Sequence, residues 1–415
     1  MTDPPAVLLA GFDVWPGPSA WARRMTQSVR ASASRHRVLT LTLRGPTLAH
    51  TESLLGARVL RVPPGPGSLL EQLEAFGRAV HRQLESDAHV LVHTADPLVG
   101  AAVLSHPRRP ALLYEARRLP SVELPLLVSR GHEGALLDQA LRRADRQSLA
   151  GADAVLVTTR TRADEIRAQG PTGPVHPVPD GIDAGPTLAR LPGPLRIRHV
   201  GWDLSSAGLR VLLEALATLG SAARLHLVQP RSKPWDSSVQ REVAAAARSG
   251  TVTSGPPGAL PGSWADVEVL SGVGGDARVP AVLGEALEAY ARGRPVLAPD
   301  SEAARADLPA GCTVFFPAAD GDALGKALVA LASSPDLLAE SGAEARAYVE
   351  RRHDAARVRG LLRDLYRAHG AARAAWPPSS GAWRASLPPR WSGASRLPGE
   401  RAPEGTDPGT PSGFG

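Results

Sequence analysis

Apolar residues along this chain fall into two alternating rhythms. Short unbroken apolar runs, the pattern of strands buried on both faces, sit at 6–12, 37–43, 59–62, 90–93, 112–114, 154–157 and 175–178. Between several of them, apolar residues recur at three- and four-residue spacing, which predicts helices over 19–34, 69–85 and 132–150. A stretch rich in Pro and Gly at 184–195 (AGPTLARLPGPL) reads as an interdomain linker, and then the alternation starts again. Strands are expected at 195–200, 225–228, 267–270, 295–298 and 313–316, with helices at 209–219, 238–248, 280–292 and 323–332 and a last one at 358–372. Strand alternating with helix argues for mostly parallel sheets covered on both faces. The expected class is α/β: two Rossmann-like domains, 1–188 and 189–355, facing across a cleft, with ligands at the carboxyl ends of the strands.

From Trp376 onward the composition changes to Pro, Gly and Ser without apolar periodicity, so 376–415 is expected to be a disordered tail. The rest of the 415 residues is ordinary for a soluble globular chain, with 43% hydrophobic and 21% charged residues overall. Net charge is +6, but the positive charge is almost all Arg, with Lys only at 233 and 326. Since no dense basic run is interleaved with aromatics, no nucleic-acid partner is expected. An anionic ligand, or lipid phosphate on a membrane face, stays compatible. Cys312 is the single cysteine, which excludes an intrachain disulfide and fits a reducing compartment. The first residues lack a basic region and a signal-peptide core, and no stretch approaches the roughly 20 apolar residues of a membrane span. The expected location is cytoplasmic, with peripheral contact at the inner membrane face left open.

The most informative stretch is 279–300, VPAVLGEALEAYARGRPVLAPD. Val279, Val282, Leu283, Ala286, Leu287 and Tyr290 give one apolar face, Pro280 suits a first turn, and Gly293 follows as a stop signal. Arg294 to Ala298 then reads as a buried strand. Glu285 and Glu288 fall on the flank away from Leu283 and Leu287. Taken alone, Glu288 is an exposed acid with an i,i+4 partner in Arg292. Several other chemistries find no footing: there is no GxxxxGK[ST] loop, HExxH helix, CxxC pair or GxSxG elbow. Asp320-Gly321-Asp322 looks like a metal-binding DxD, but it opens an apolar-periodic helix, where Asp is a normal cap. No metal site is expected.

The 279–300 helix and strand resemble the donor-site unit of glycosyltransferase family 4, enzymes of the GT-B fold. Two further landmarks stand in the family's order: ADAVLVTTRTRADEIRAQG at 152–170 and PVPDGID at 177–183, in whose turn a glycine often supplies positive φ. The resemblance spans about residues 6–355. It implies that Glu288, with Glu285 beside it, accepts from the ribose hydroxyls of a nucleotide-sugar, acceptor-only chemistry that a carboxylate suits. It also implies that the glycines Gly201 and Gly208 of GWDLSSAG line the donor diphosphate, and that 356–375 crosses back to brace the first domain. In HTADP, His93 and Asp96 match the family loop near the reacting centre.

The sequence also departs from the family. Trp202 and Ala207 stand where Arg and Lys are usual, Pro280 where an earlier Glu is usual, and Ala95 where a second His is usual. Arg210, Arg231, Lys233 and Arg278 are the candidate replacements for phosphate contact. The implied activity is transfer of a sugar, of the hexosyltransferase type and with retention, from a nucleoside-diphosphate sugar to a glycan, lipid or other acceptor. No cofactor is expected beyond that co-substrate. The alternative is a non-catalytic, glycosyltransferase-like protein that binds a nucleotide or a partner enzyme.

Overall fold

A computed structural model of the chain describes residues 4–17, 19–117, 132–187, 192–200, 204–229, 235–256, 259–260, 264–270 and 283–374. The tail from Trp376 lies outside the described residues.

The first half alternates β1 (Ala6–Val14), α1 (Ala20–Ser32), β2 (Arg37–Leu43), β3 (Thr51–Leu54), β4 (Ala57–Val62), α2 (Leu69–Ser86), β5 (His89–Thr94), α3 (Pro97–Ser105), β6 (Ala111–Glu115), α4 (His132–Gly151), β7 (Ala154–Val157), α5 (Arg160–Ala168) and β8 (Val175–Pro177). Its strands form an eight-stranded sheet in the order β3-β4-β2-β1-β5-β6-β7-β8. All pairings in it are parallel except β3 with β4, which are joined by Leu55-Gly56 at φ 52° and 83°, a two-residue turn whose twist suits a hairpin. Strict alternation along β1 sets the layers. Val7 and Leu9 share a core with Met25 and Val29 of α1, while Leu8 and Ala10 share one with Phe76 and Val80 of α2.

The second half contributes β9 (Leu195–Val200), α6 (Ser206–Leu219), β10 (Ala223–Val228), α7 (Ser237–Ala247), β11 (Val252–Gly255), β12 (Val267–Leu270), α8 (Leu283–Ala291), β13 (Val296–Pro299), α9 (Glu302–Asp307), β14 (Thr313–Phe316), α10 (Gly321–Ser333), α11 (Pro335–Arg352) and α12 (Ala355–Ala374). Its strands form a six-stranded, all-parallel sheet in the order β11-β10-β9-β12-β13-β14. Asp320 caps α10, its carboxylate accepting from Ala323 N at 2.8 Å. No helix among the described residues is long and apolar enough to cross a membrane.

Several elements differ from the periodicity reading. Helix α3 was not anticipated because PLVGAAVLS is small and apolar all round and so shows no stripe. The short β3 and β11 carry too few apolar residues to stand out. Residues 280–282, expected to open the donor-side helix, lie outside the described residues. Gly181 does not have positive φ; it serves close approach instead, since a Cβ there would meet Val358 Cβ at 3.0 Å and Ala355 Cα at 3.2 Å.

The chain crosses between the two sheets twice, and the crossings are tied together. Ile182 pairs with Asp354 in a parallel bridge, its N–H donating to His353 O at 2.8 Å. Helix α12 then packs on α1 and β5. Arg346 of α11 pins the start of the linker, donating to Ala184 O at 3.2 Å and to Ala291 O of α8 at 2.7 Å. At the same place α11 and α8 touch backbone to backbone: a Cβ on Gly342 would lie 2.3 Å from Gly293 O. Gly342→Ala is therefore expected to cost about 1–3 kcal/mol, the range for overpacking. The urea midpoint should fall with the slope unchanged; an unaltered midpoint would mean that the helices slide apart at little cost.

Candidate functional site

The carboxyl ends of both sheets carry the residues singled out in the sequence. In the second sheet Glu288 lies on α8 with its side chain 39% exposed, on the flank that faces the first domain. Two cations flank it. Arg292 comes from the same helix, with Nη2 3.5 Å from Oε2. Arg23 comes from α1 of the other half of the molecule: its Nη1 is 3.6 Å from Glu288 Oε1, and its Nη2 donates to Gly284 O at 3.3 Å. Glu285 belongs to the same helix, but its side chain is outside the described positions. Gly208 sits in the first turn of α6, with its N–H donating to the Ser205 cap at 3.1 Å. Arg210 is exposed on α6, whereas Gly201, Arg231, Lys233 and Arg278 lie outside the described residues.

In the first sheet His93 and Asp96 lie close in sequence but do different things. Asp96 is the N-cap of α3, its carboxylate accepting from Leu98 N at 2.9 Å and Val99 N at 3.3 Å. Burial raises its pKa against these hydrogen bonds. His93 is fully buried and both ring nitrogens are engaged, Nε2 3.1 Å from Glu115 Oε2 and Nδ1 2.8 Å from Tyr366 OH. Burial lowers the His93 pKa, so the ring is neutral. With Glu115 ionised, Nε2–H donates to the carboxylate and Nδ1 accepts from the Tyr366 hydroxyl. Trp21 packs edge-on to the ring at 5.5 Å.

Glu115, the last residue of β6, is the centre of a buried charge cluster. Arg24 Nε donates to its Oε1 at 3.0 Å, and Arg117 Nη1 reaches the same oxygen at 2.5 Å. Arg117 also grips Asp180 of the PDG turn with both terminal nitrogens, at 2.8 and 2.6 Å, and Arg24 donates to Val178 O at 2.6 Å. Burial would push the Glu115 carboxyl up, but Arg24, Arg117 and the His93 hydrogen bond override it and hold it well below the usual carboxylate range. Asp180 is likewise lowered against burial by Arg117 and Arg24. Two guanidiniums balance two carboxylates here.

A third feature lies at the end of β9. His199 is fully buried, neither ring nitrogen has a hydrogen-bond partner among the described residues, and burial pushes its pKa down to about 4. It occupies the same face of the strand as Leu195 and Ile197, two residues before Gly201. Its signal in the sequence was a single non-arginine polar residue in LRIRHV; Arg23 gave no signal, because its partner is on the other domain.

Two α/β sheets, one eight- and one six-stranded, with carboxylate and cation meeting from opposite halves at their carboxyl ends, define the GT-B glycosyltransferase fold. Residues 17–181 match the family model described as a glycosyl transferase 4-like domain, so the first half carries that family's sequence pattern. No curated protein matches the sequence. Among solved structures, sucrose-phosphate synthase from Thermosynechococcus elongatus aligns at 20% identity and TM-score 0.71, over 89% of this chain and 100% of that one. HepE of Anabaena, in complex with UDP-glucose, aligns at 15% identity and TM-score 0.66, over 88% and 99%. A glycosyltransferase from Rickettsia africae aligns at 12% identity and TM-score 0.61, over 89% and 99%. The chain thus has the GT-B fold, and its first half is similar to the glycosyl transferase 4-like family.

Two predictions follow from the buried charges. Glu115→Gln leaves two buried guanidiniums against one carboxylate and should cost about 3–5 kcal/mol by chemical denaturation; a loss below ~1 kcal/mol would mean water has reached the cluster. The two kinds of group also separate in pH. Glu115 and Asp180, with folded pKa values below their ordinary 4.5 and 3.8, contribute stability that is complete above those values and lost below them. His199, with its folded value near 4 against an ordinary 6.5, costs stability earlier, as pH falls from 6.5 towards 4, on the order of 3 kcal/mol. His199→Leu should flatten that upper part of the acid limb. An acid limb identical to wild type would assign the loss elsewhere.

Proposed function

We propose that the protein is a glycosyltransferase that holds a nucleoside-diphosphate sugar on its second domain and passes the sugar to an acceptor held by the first, with retention at the anomeric carbon. The observation that carries this reading is Glu288: a half-exposed carboxylate on the domain-facing flank of α8, at the position where the family's ribose-binding Glu falls. Ribose offers two adjacent hydroxyl donors and an ionised carboxylate offers two acceptor oxygens, so the pair is chemically matched. HepE, with the same fold, is known in complex with UDP-glucose, which supports a nucleotide-sugar as the ligand class here. In the proposed reaction the departing diphosphate gains negative charge as the glycosidic bond breaks, and cations near the ribose stabilise it. His93 is buried with both nitrogens engaged and Asp96 caps α3, so on this reading they hold the first domain's structure and do not exchange protons with substrate.

A second reading has its own support. Trp202 and Ala207 replace the cations usual at the diphosphate, and the Gly208 N–H is taken by Ser205. A protein that binds a nucleotide without turning over its sugar would tolerate those losses. The two readings part in one set of measurements. Thermal shift and calorimetry with UDP, GDP, ADP and dTDP should reveal one preferred nucleotide, and Glu288→Gln should weaken it by roughly 1.5–3 kcal/mol, the range for a hydrogen bond to a charged group. Melting should barely change, since Gln is a comparable helix former. Affinity indifferent to the substitution would remove Glu288 from the site. Binding through Glu288 with no transfer or donor hydrolysis across a panel of sugar-nucleotides would select the non-catalytic reading.

A further inference from the structure

We infer that Arg294 is the centre of a second binding site, beneath α8, which takes a small planar monoanion of carboxylate or bicarbonate type. Arg294 follows the helix stop at Gly293, and its N–H donates back to Ala289 O of α8 at 3.0 Å. Its side chain is only 5% exposed. Among the described residues, neither Nε nor Nη2 has a hydrogen-bond partner. These two nitrogens form the edge of the guanidinium plane that offers parallel N–H donors to two oxygens of one group. Arg294 lies just before β13, at the amino end of that strand, whereas ligands of open parallel sheets enter at the carboxyl ends. The site is therefore separate from the one proposed at Glu288.

The carboxylates nearby do not serve that edge. Asp266 Oδ1 lies 4.0 Å from Arg294 Nη1, beyond hydrogen-bond reach, and Asp266 already accepts three bonds from Arg196, at 3.0, 3.1 and 2.8 Å. Glu268 is the partner of Arg198 through Oε1. The layer thus sets three guanidiniums, of Arg196, Arg198 and Arg294, against the carboxylates of Asp266 and Glu268. Above it on α8, Arg292 and Glu288 pair with each other and change nothing in the sum. Burial lowers the Arg294 pKa, but a guanidinium stays protonated, so the excess charge is not lost by deprotonation. The linker passes beside Gly293, where a Cβ would lie 3.0 Å from Thr187 Cγ2, and residues 188–191 contain no acid. Arg198 Nε and Glu268 Oε2 also have no partner among the described residues, so protein groups described here do not close this layer. A water on Arg294 would satisfy the N–H groups and leave the charge uncompensated, which is costly in a buried place. A planar monoanion fills the edge and balances the charge together.

The test melts the full chain in sodium formate, bicarbonate or chloride at pH 8. Each anion is titrated at constant ionic strength, with a bulky buffer sulfonate making up the balance so that screening does not change. Wild type is compared with Arg294→Met, which removes charge and donors, and Arg294→Lys, which keeps the charge and loses the fork. The wild-type Tm should rise by about 2 °C for each tenfold increase in formate or bicarbonate once the site is half filled, as for any ligand of the folded state. Arg294→Met should show no such rise, and Arg294→Lys should need roughly tenfold more anion for the same rise. Crystals grown in formate should show planar density bonded to Nε and Nη2 of Arg294. A wild-type Tm indifferent to formate and bicarbonate would overturn the inference, as would water-sized density at the fork. An equal rise in Arg294→Met would also overturn it, because the anion would then act elsewhere on the molecule. Stabilisation by chloride alone would overturn the assignment of a planar ligand. Should Arg294→Met fail to fold, the wild-type titration, Arg294→Lys and the crystals still decide.

Discussion

The constraint on which the rest of the first domain depends is electrical neutrality in a largely buried place. Arg24, Glu115, Arg117 and Asp180 arrive from α1, the end of β6, the segment after it and the PDG turn, and none could be buried alone without a penalty of several kcal/mol. Together they form a closed set of two positive and two negative groups. His93 and Tyr366 extend the set to β5 and α12, and His353 joins it by sharing a hydrogen bond with Asp180 O at 2.9 Å. Because that carbonyl belongs to the turn entering the linker, the cluster fixes the outgoing crossing, and through His353 the returning one. The point from which the second domain departs is thus set by charge pairing inside the first.

The second sheet handles its charges differently. Arg196 pairs with Asp266 through three hydrogen bonds, two of them at 2.8 and 3.1 Å from its side chain, and Arg198 pairs with Glu268 directly across β9 and β12. These are cross-strand pairs on one face of neighbouring parallel strands. Glu268 is imperfectly served: its Oε2 has no partner, and burial raises its pKa against the pull of Arg198. Arg294 likewise leaves two nitrogens without partners. Among the described residues both halves leave polar atoms without partners, Arg24 Nη1 in the first and Glu268 Oε2 with Arg294 Nε and Nη2 in the second, the latter beneath α8, the helix that carries Glu288. A sheet face of this kind is held by its apolar side, where Leu195, Ile197, Val267 and Val269 pack with α6, α7 and α10.

How much was legible in the sequence follows from the range of each interaction. Strands buried on both faces announce themselves as apolar runs, so the order of the two sheets and their separation by a Pro/Gly stretch could be read directly. Helix α2 could be read twice, from its stripe and from Ser68 and Glu71, which form a capping box. Glu288 was legible because its setting is local: one turn of helix, one partner four residues on, one following strand. The cluster was not legible, because its members are far apart: Arg24 and Glu115 are separated by 91 positions and His93 and Tyr366 by 273. Glu115 resembles a glutamate in a stretch of family members, but that gives it no role, and nothing local shows that its partners belong together. Gly181 shows a subtler gap, since its type was expected from turn geometry while its reason lies in helix α12, more than a hundred residues on.

Arg23 and Arg24 show how such distant constraints come to bear on a site. Successive residues on an α-helix point about 100° apart, so two adjacent arginines cannot share a surroundings. One is drawn inward by Glu115 and Val178 O, and that leaves the other no direction except outward, across to Gly284 and Glu288. The inward residue gains from a low-dielectric setting where each charge-assisted bond is strong; the outward one sits where water screens it and its partner. A buried ion pair and an exposed one are thus placed one residue apart on a single helix. The buried arginine supplies the registry, and the exposed one ties α1 to α8 through Glu288 and Gly284 O. Because Arg24 holds the rotation of α1, the aim of Arg23 towards α8 is set by the fold of the first domain.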